Sequence, residues 1–202
     1  MPKEKLNIIE STCVPLPLEN VDTDQVIPAR FLSATTREGF GNNLFRDWRY
    51  DKKGELNREF VLNNPKFSGR ILVAGKNFGC GSSREHAVWA VYDYGFRVVI
   101  SSFFADIFRN NALNNGLLPV VIPEPDAQKL IKLITDVPET IVRINVSEHK
   151  MEIPSEGKTF TFDINPFKQE CLIKGLDDID YLISMREKIE EFEKMKGADY
   201  EN

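Results

Sequence analysis

Cysteine and histidine are scarce in this chain of 202 residues: there are three cysteines, Cys13, Cys80 and Cys171, and two histidines, His86 and His149. The cysteines are odd in number and far apart, which excludes a disulfide framework and points to a reducing, cytoplasmic setting. They also lack the close C-x-x-C pairing that zinc and iron–sulfur sites use, and the histidines add no ligand pattern. No metal is therefore expected on this chain. No stretch approaches the roughly 18 consecutive apolar residues of a membrane span. The N-terminus, Met1-Pro2-Lys3-Glu4-Lys5-Leu6-Asn7, lacks the apolar core of a signal peptide. A basic block is missing too, and with a net charge of -5 that argues against a nucleic-acid partner, which would be held by clustered Lys and Arg.

What is present is an ordinary globular composition, 42% hydrophobic and 28% charged, without repeats or low-complexity segments. The length suits one domain able to bury its own core. We expect residues 1–202 to form a single domain, with 178–196 a C-terminal helix and 197–202 a frayed tail.

Pro15-Leu16-Pro17-Leu18 reads as the opening of a turn-rich region. Residues 37–53 read as a long, ordered loop, because Phe40, Phe45, Trp48 and Tyr50 make plain disorder unfavourable. The apolar run Arg70–Ala74 predicts a buried strand, followed by a glycine-rich turn and a helix from Glu85 to Tyr94 that stops at Gly95. Arg97–Ile100 predicts a strand, Ala105–Asn115 a helix, Leu117–Ile122 a strand and Asp126–Thr135 an amphipathic helix. This alternation is the signature of an α/β layer. Glu139–Val146, Lys150–Ile153 and Lys158–Ile164 then alternate as antiparallel strands. Asp177–Lys196 predicts one charged helix, with an apolar stripe through Ile179, Leu182, Ile183 and Ile189. Phe103, Phe104, Ile107 and Phe108 are read together as core.

The stretch richest in chemistry is Gly79-Cys80-Gly81-Ser82-Ser83-Arg84-Glu85-His86-Ala87. A strand, a glycine turn and a polar helix start can bind an anion, because the first backbone N–H groups of the helix lack partners and carry the positive end of its dipole. Ser82, Ser83 and Arg84 add two hydroxyls and a guanidinium that can fork onto a carboxylate. The plainer reading is a capping box between Ser82 and Glu85. That reading leaves Arg84 and both glycines without a role.

Gly81-Ser82-Ser83-Arg84-Glu85-His86-Ala87 resembles the signature of the swivel domain of the aconitase superfamily. Asp22-Thr23-Asp24 followed by Ile27-Pro28 resembles that domain's second signature. Asn77-Phe78-Gly79-Cys80-Gly81 is similar to the isopropylmalate dehydratase small subunits within it. Gly39-Phe40-Gly41, Phe104-Ala105-Asp106-Ile107-Phe108, Asn115-Gly116-Leu117-Leu118-Pro119 and Gly175-Leu176-Asp177-Asp178-Ile179 extend the likeness over most of the chain.

The resemblance implies an α/β fold: an aconitase-type swivelling β/β/α domain, with a mixed sheet flanked by helices and an added antiparallel β-meander. It implies a hydro-lyase of leucine biosynthesis that interconverts 2-isopropylmalate and 3-isopropylmalate. In such enzymes a separate large subunit carries a [4Fe–4S] cluster, so the implied partners are that subunit and a small dicarboxylate substrate. Carried over to this chain, Ser82 is the proton-transfer residue, Ser83 and Arg84 bind the substrate carboxylate, and Thr23 and Asp24 line the same site. Related enzymes for tricarboxylates place an arginine in the loop after Asp24. Here that loop holds Arg30, Phe31, Leu32, Ser33 and Arg37, and Phe31, Leu32 or a near neighbour is expected to form an apolar wall for the isopropyl group. Cys80 stands where aconitases have glutamate and is read as a spacer, and His86 as a core or capping residue. A homoaconitase or methylmalate (citraconate) hydratase small subunit, or a non-enzymatic anion-binding domain, would share the scaffold.

Overall fold

A computed structural model of the chain describes residues 3–33 and 36–200, with side chains up to residue 195. The chain opens with strands β1 (Ile8–Ser11) and β2 (Cys13–Leu16) and the one-turn helices α1 (Thr23–Val26) and α2 (Arg46–Arg49). An alternating run follows: β3 (Ile71–Ala74), α3 (Glu85–Tyr94), β4 (Val98–Ser101), α4 (Asp106–Asn114), β5 (Leu118–Val121) and α5 (Glu124–Asp136). Strands β6 (Val142–Asn145), β7 (Lys150–Ile153) and β8 (Lys158–Thr161) come next. Helices α6 (Pro166–Lys174), α7 (Asp178–Ser184) and α8 (Arg186–Tyr200) end the described chain.

Two four-stranded sheets result, a parallel one in the order β2-β3-β4-β5 and an antiparallel one in the order β1-β6-β7-β8. The fold is thus of the swivelling β/β/α kind, with its parallel and antiparallel strands in separate sheets. All four residues of β2, β3 and β4 are buried, as expected of a parallel sheet covered on both faces. Successive side chains point to opposite faces, so Ile71 and Val73 join one core while Leu72 and Ala74 join another. The first core lies between the parallel sheet, α5 (Leu130, Ile134) and the antiparallel sheet (Ile144, Met151). The second packs α3 (Val88, Val91), α4 (Phe108) and the aromatic residues Phe40 and Phe45 of the long loop.

Several elements differ from the sequence reading, beginning with β1, a strand that the sequence reading does not include. Pro15 and Pro119 sit inside β2 and β5, the two edge strands of the parallel sheet. A missing N–H is tolerated there, so the expected turn at Pro15 is a strand. Helix α6, capped by the Asn165 side chain with Pro166 in its first turn, was not anticipated. The single helix expected over 178–196 is broken at Met185 into α7 and α8. Helix α8 continues to Tyr200, past the expected start of fraying at 197, and residues 201–202 lie outside the described residues.

Candidate active site

The loops after β2 and β3 leave the carboxyl ends of neighbouring parallel strands, where open α/β sheets place their ligands. They are laced together by backbone bonds: Asn20 N–H to Lys76 O (2.8 Å), Gly79 N–H to Val21 O (2.8 Å) and Thr23 N–H to Cys80 O (2.9 Å). Asn20 and Asn77 both adopt left-handed backbone conformations, with φ of 54° and 62°, which asparagine tolerates better than most residues. The Asn77 amide donates to the Asn20 side-chain oxygen at 2.8 Å. Gly79 has φ 76°, and a Cβ there would lie 2.3 Å from the Phe108 ring. Only glycine lets this loop rest on that ring.

Lacing brings the two motifs into one site. Asp22 caps α1 in a capping box with Gln25, holding Thr23 and Asp24 in the helix's first turn. Thr23 is only 2% exposed and donates its hydroxyl to the Ser82 carbonyl at 2.8 Å, so it fixes the backbone that presents the serine. Asp24 receives the Arg84 guanidinium in a fork, with Nη2 to Oδ2 at 2.7 Å and Nη1 to Oδ1 closer still. Nη1 also approaches the Ile27 carbonyl at 3.5 Å, and the Arg84 side chain is only 14% exposed. A guanidinium has five N–H donors, and these contacts with the described residues engage three of them.

The plainer alternative, a capping box between Ser82 and Glu85, does not form. Helix α3 begins at Glu85 with Arg84 as its N-cap, and no side chain caps it. Glu85 instead accepts from Trp89 Nε1 (3.3 Å) and Asn115 Nδ2 (3.0 Å). The Ser82 and Ser83 hydroxyls, exposed on the loop, make no hydrogen bond to the rest of the described chain.

Ser82, Ser83, Arg84 and Thr23 line one cavity of about 230 Å³ with Gly79, Gly81 and the start of α4: Ala105, Asp106, Ile107, Phe108 and Asn111. The α4 contribution was missed, because Phe103, Phe104, Ile107 and Phe108 were read as one core cluster. Phe104 and Phe108 are buried, but Phe103 is 51% and Ile107 52% exposed. Neighbouring helix positions point in different directions, so Phe108 enters the core while Ile107 faces the cavity.

The loop expected to select the substrate is placed elsewhere. Arg30 forms an ion pair with Asp47 and lies over the Phe31 ring, 4.7 Å from its centroid. Phe31 and Leu32 pack against the second core, and Ser33 is exposed. None of these four lines the cavity. Arg37 pairs with Glu85 at 3.6 Å and lies over the Trp89 ring at 4.7 Å. Ala34 and Thr35, between the two arginines, lie outside the described residues.

Cys80 donates its thiol to the Asn20 carbonyl at 3.3 Å, and burial, with the Asp22 charge second, pushes that thiol above its ordinary range. Those are the surroundings of a spacer rather than of a reactive thiolate. His86 packs between Phe40 and Trp89. Cys13 lies in β2 and Cys171 in α6, and the described residues contain no group of three or more His, Cys, Asp or Glu able to hold a metal. Among the described residues, no set of side chains fits an iron–sulfur cluster. No helix among the described residues is long and apolar enough to cross a membrane.

A parallel sheet whose first two loops present a serine pair and a forked arginine defines a domain of the aconitase C-terminal class, and the model of that domain matches residues 3–125. The chain is 55% identical over 191 residues to the 3-isopropylmalate dehydratase small subunit of Cytophaga hutchinsonii, with 95% of each chain covered. It is 55% identical over 197 residues to that of Christiangramia forsetii, covering 97% of this chain and 96% of the relative. A crystal structure of 3-isopropylmalate dehydratase from Methanocaldococcus jannaschii superposes with a TM-score of 0.64 at 29% identity, over 92% of this chain and 99% of that one. The chain belongs to the family of 3-isopropylmalate dehydratase small subunits.

Proposed function

We propose that this chain is the proton-handling half of a 3-isopropylmalate dehydratase in leucine biosynthesis, acting with a large subunit and using Ser82 as its base and acid. The observation that carries the assignment is the pair of Ser82 and Ser83 hydroxyls, without hydrogen-bond partners among the described residues, in the same cavity as a guanidinium that Asp24 holds in place. A serine is a poor base unless its anion is stabilised. The Arg84 charge and the unpaired N–H groups at the start of α3 supply positive field to an oxygen at Ser82.

In the forward direction the Ser82 alkoxide takes a proton from the CH2 carbon of 2-isopropylmalate. That C–H electron pair forms the C=C bond, and the neighbouring C–OH bond breaks with its pair, releasing hydroxide. Water then adds in the opposite sense, with the proton delivered from Ser82 Oγ, and 3-isopropylmalate results. Ser83 and Arg84 bind a substrate carboxylate. Asp24 and Thr23 act through Arg84 and through the Ser82 backbone, respectively. A [4Fe–4S] cluster on the large subunit would supply Lewis-acid chemistry for the hydroxyl.

A dicarboxylate with an apolar branch suits the site better than a tricarboxylate. Arg30 is taken by Asp47, and Arg37 by Glu85 and Trp89, so neither supports a third carboxylate. The test is turnover of isopropylmalate by this chain mixed anaerobically with its cluster-loaded large subunit, wild type against Ser82→Ala. Activity in the mixture alone, falling by several orders of magnitude in the variant, is the expected result. Full activity in the variant, or a preference for homocitrate over isopropylmalate, would overturn the assignment.

A further inference from the structure

Helix α4 enters the cavity with a face that the mechanism above leaves unused. Phe108 and Ala112 form its buried face. Ile107 and Asn111, four residues apart and therefore stacked on one side of the helix, both line the cavity with Ser82 and Ser83. The Asn111 side chain is half-buried, and its amide makes no hydrogen bond within the described chain. Its backbone carbonyl accepts from the Asn115 amide at 2.8 Å and from Asn115 N–H at 3.1 Å. An amide that lines a cavity and reaches its solvent is open to hydrogen-bond a ligand there. Ile107, meanwhile, exposes about half of a large apolar side chain beside that amide.

From this juxtaposition we infer that α4 supplies a substrate-positioning pair: Asn111 donates its amide N–H to a carboxylate of the substrate, and Ile107 packs against the alkyl branch. The inference rests on the dehydratase reading. It adds an apolar contact from α4 to the wall expected from Phe31 or Leu32, which are partly buried against the second core. Asn111 carries no charge and has no proton to exchange in this reaction, so it acts on binding and orientation rather than on proton transfer.

The test is steady-state kinetics of the reconstituted complex with 2-isopropylmalate. Asn111→Ala should raise KM about tenfold and leave kcat within about twofold, as expected for one lost hydrogen bond to a charged acceptor. Asn111→Asp should raise KM further, because a carboxylate would then face the substrate's carboxylate. A purely structural asparagine gives the reverse order, since aspartate is nearly its isostere and alanine is not. Ile107→Ala should lower kcat/KM roughly tenfold for isopropylmalate and much less for 2-methylmalate, whose branch is a single methyl. An unchanged KM in Asn111→Ala, or aspartate milder than alanine, would overturn the inference while wild-type turnover stands. A wild-type complex that ignores isopropylmalate would instead remove the functional reading beneath it.

Discussion

Arg84 and Asp24, sixty positions apart in sequence, face each other in a two-pronged ion pair in which Arg84 is 14% exposed and Asp24 52%. The exposed carboxylate orients a shielded guanidinium. Geometry rather than charge alone is what this pair provides, because lysine is a point charge and cannot fork. Arg84→Lys should therefore lose roughly 100-fold in kcat/KM despite keeping its charge. Asp24→Asn should lose less, since one prong survives. Kinetics of the reconstituted complex check both, and a near wild-type Arg84→Lys would show that only charge matters there.

Gly79 makes the second demand on the site loop. With φ at 76° and the Phe108 ring where a Cβ would be, Gly79→Ala combines backbone strain with overpacking. A loss on the order of 3 kcal/mol is expected, read as a lower urea midpoint of the isolated chain. Phe108→Leu in the same background should recover part of the steric share and none of the strain. Full recovery would mean the backbone is unstrained.

Burial pushes the Cys13 thiol up to about 12 from an ordinary 9.0. A group whose pKa is raised on folding contributes stability in full below its unfolded value and loses it as pH rises through the folded one. The fold should therefore weaken between about pH 9 and 12. Cys80 and Cys171, also raised by burial, add to the same slope. Cys13→Ala should be less stable at pH 8 because of its small cavity, yet lose less on going to high pH. Parallel urea curves at pH 8 and 10.5 test this, and equal pH losses in both proteins would rule it out.

Helix α3 was legible to the residue, because Glu85 to Tyr94 pack a helical face and Gly95 stops them. Strand β2 was not, because Pro15 reads as a breaker unless its place at a sheet edge is known. The pairing of two distant motifs came from family resemblance alone. Its physical cause, neighbouring parallel strands with laced loops, is a tertiary fact that no local pattern carries. Arg84's partner was hidden for the same reason. Ile107 was misplaced because a run of apolar residues looks like core until the helical period divides it. Within the helix, Ile107 and Phe108 are neighbours on different sides, which the expected helix over 105–115 already implied.

Helices α7 and α8 pose the opposite case, order without burial. Among the described residues none beyond Ile173 joins or packs against either core, and Ile179 is 69% exposed. What holds α7 to the body is the Lys168–Asp178 ion pair and the edge-on contact of Phe167 with Tyr181. Partly exposed contacts of this kind contribute about 1 kcal/mol each or less. A chain ending at Leu176 should therefore keep its fold, with Tm lowered by no more than about 5 °C. Ending it at Asn165 removes Cys171 and Leu172 from their buried positions and should be far more damaging. Thermal denaturation followed by circular dichroism separates the two. If the shorter deletion also unfolds the chain, the apolar row Ile179, Leu182 and Ile183 must be buried within this protein in solution.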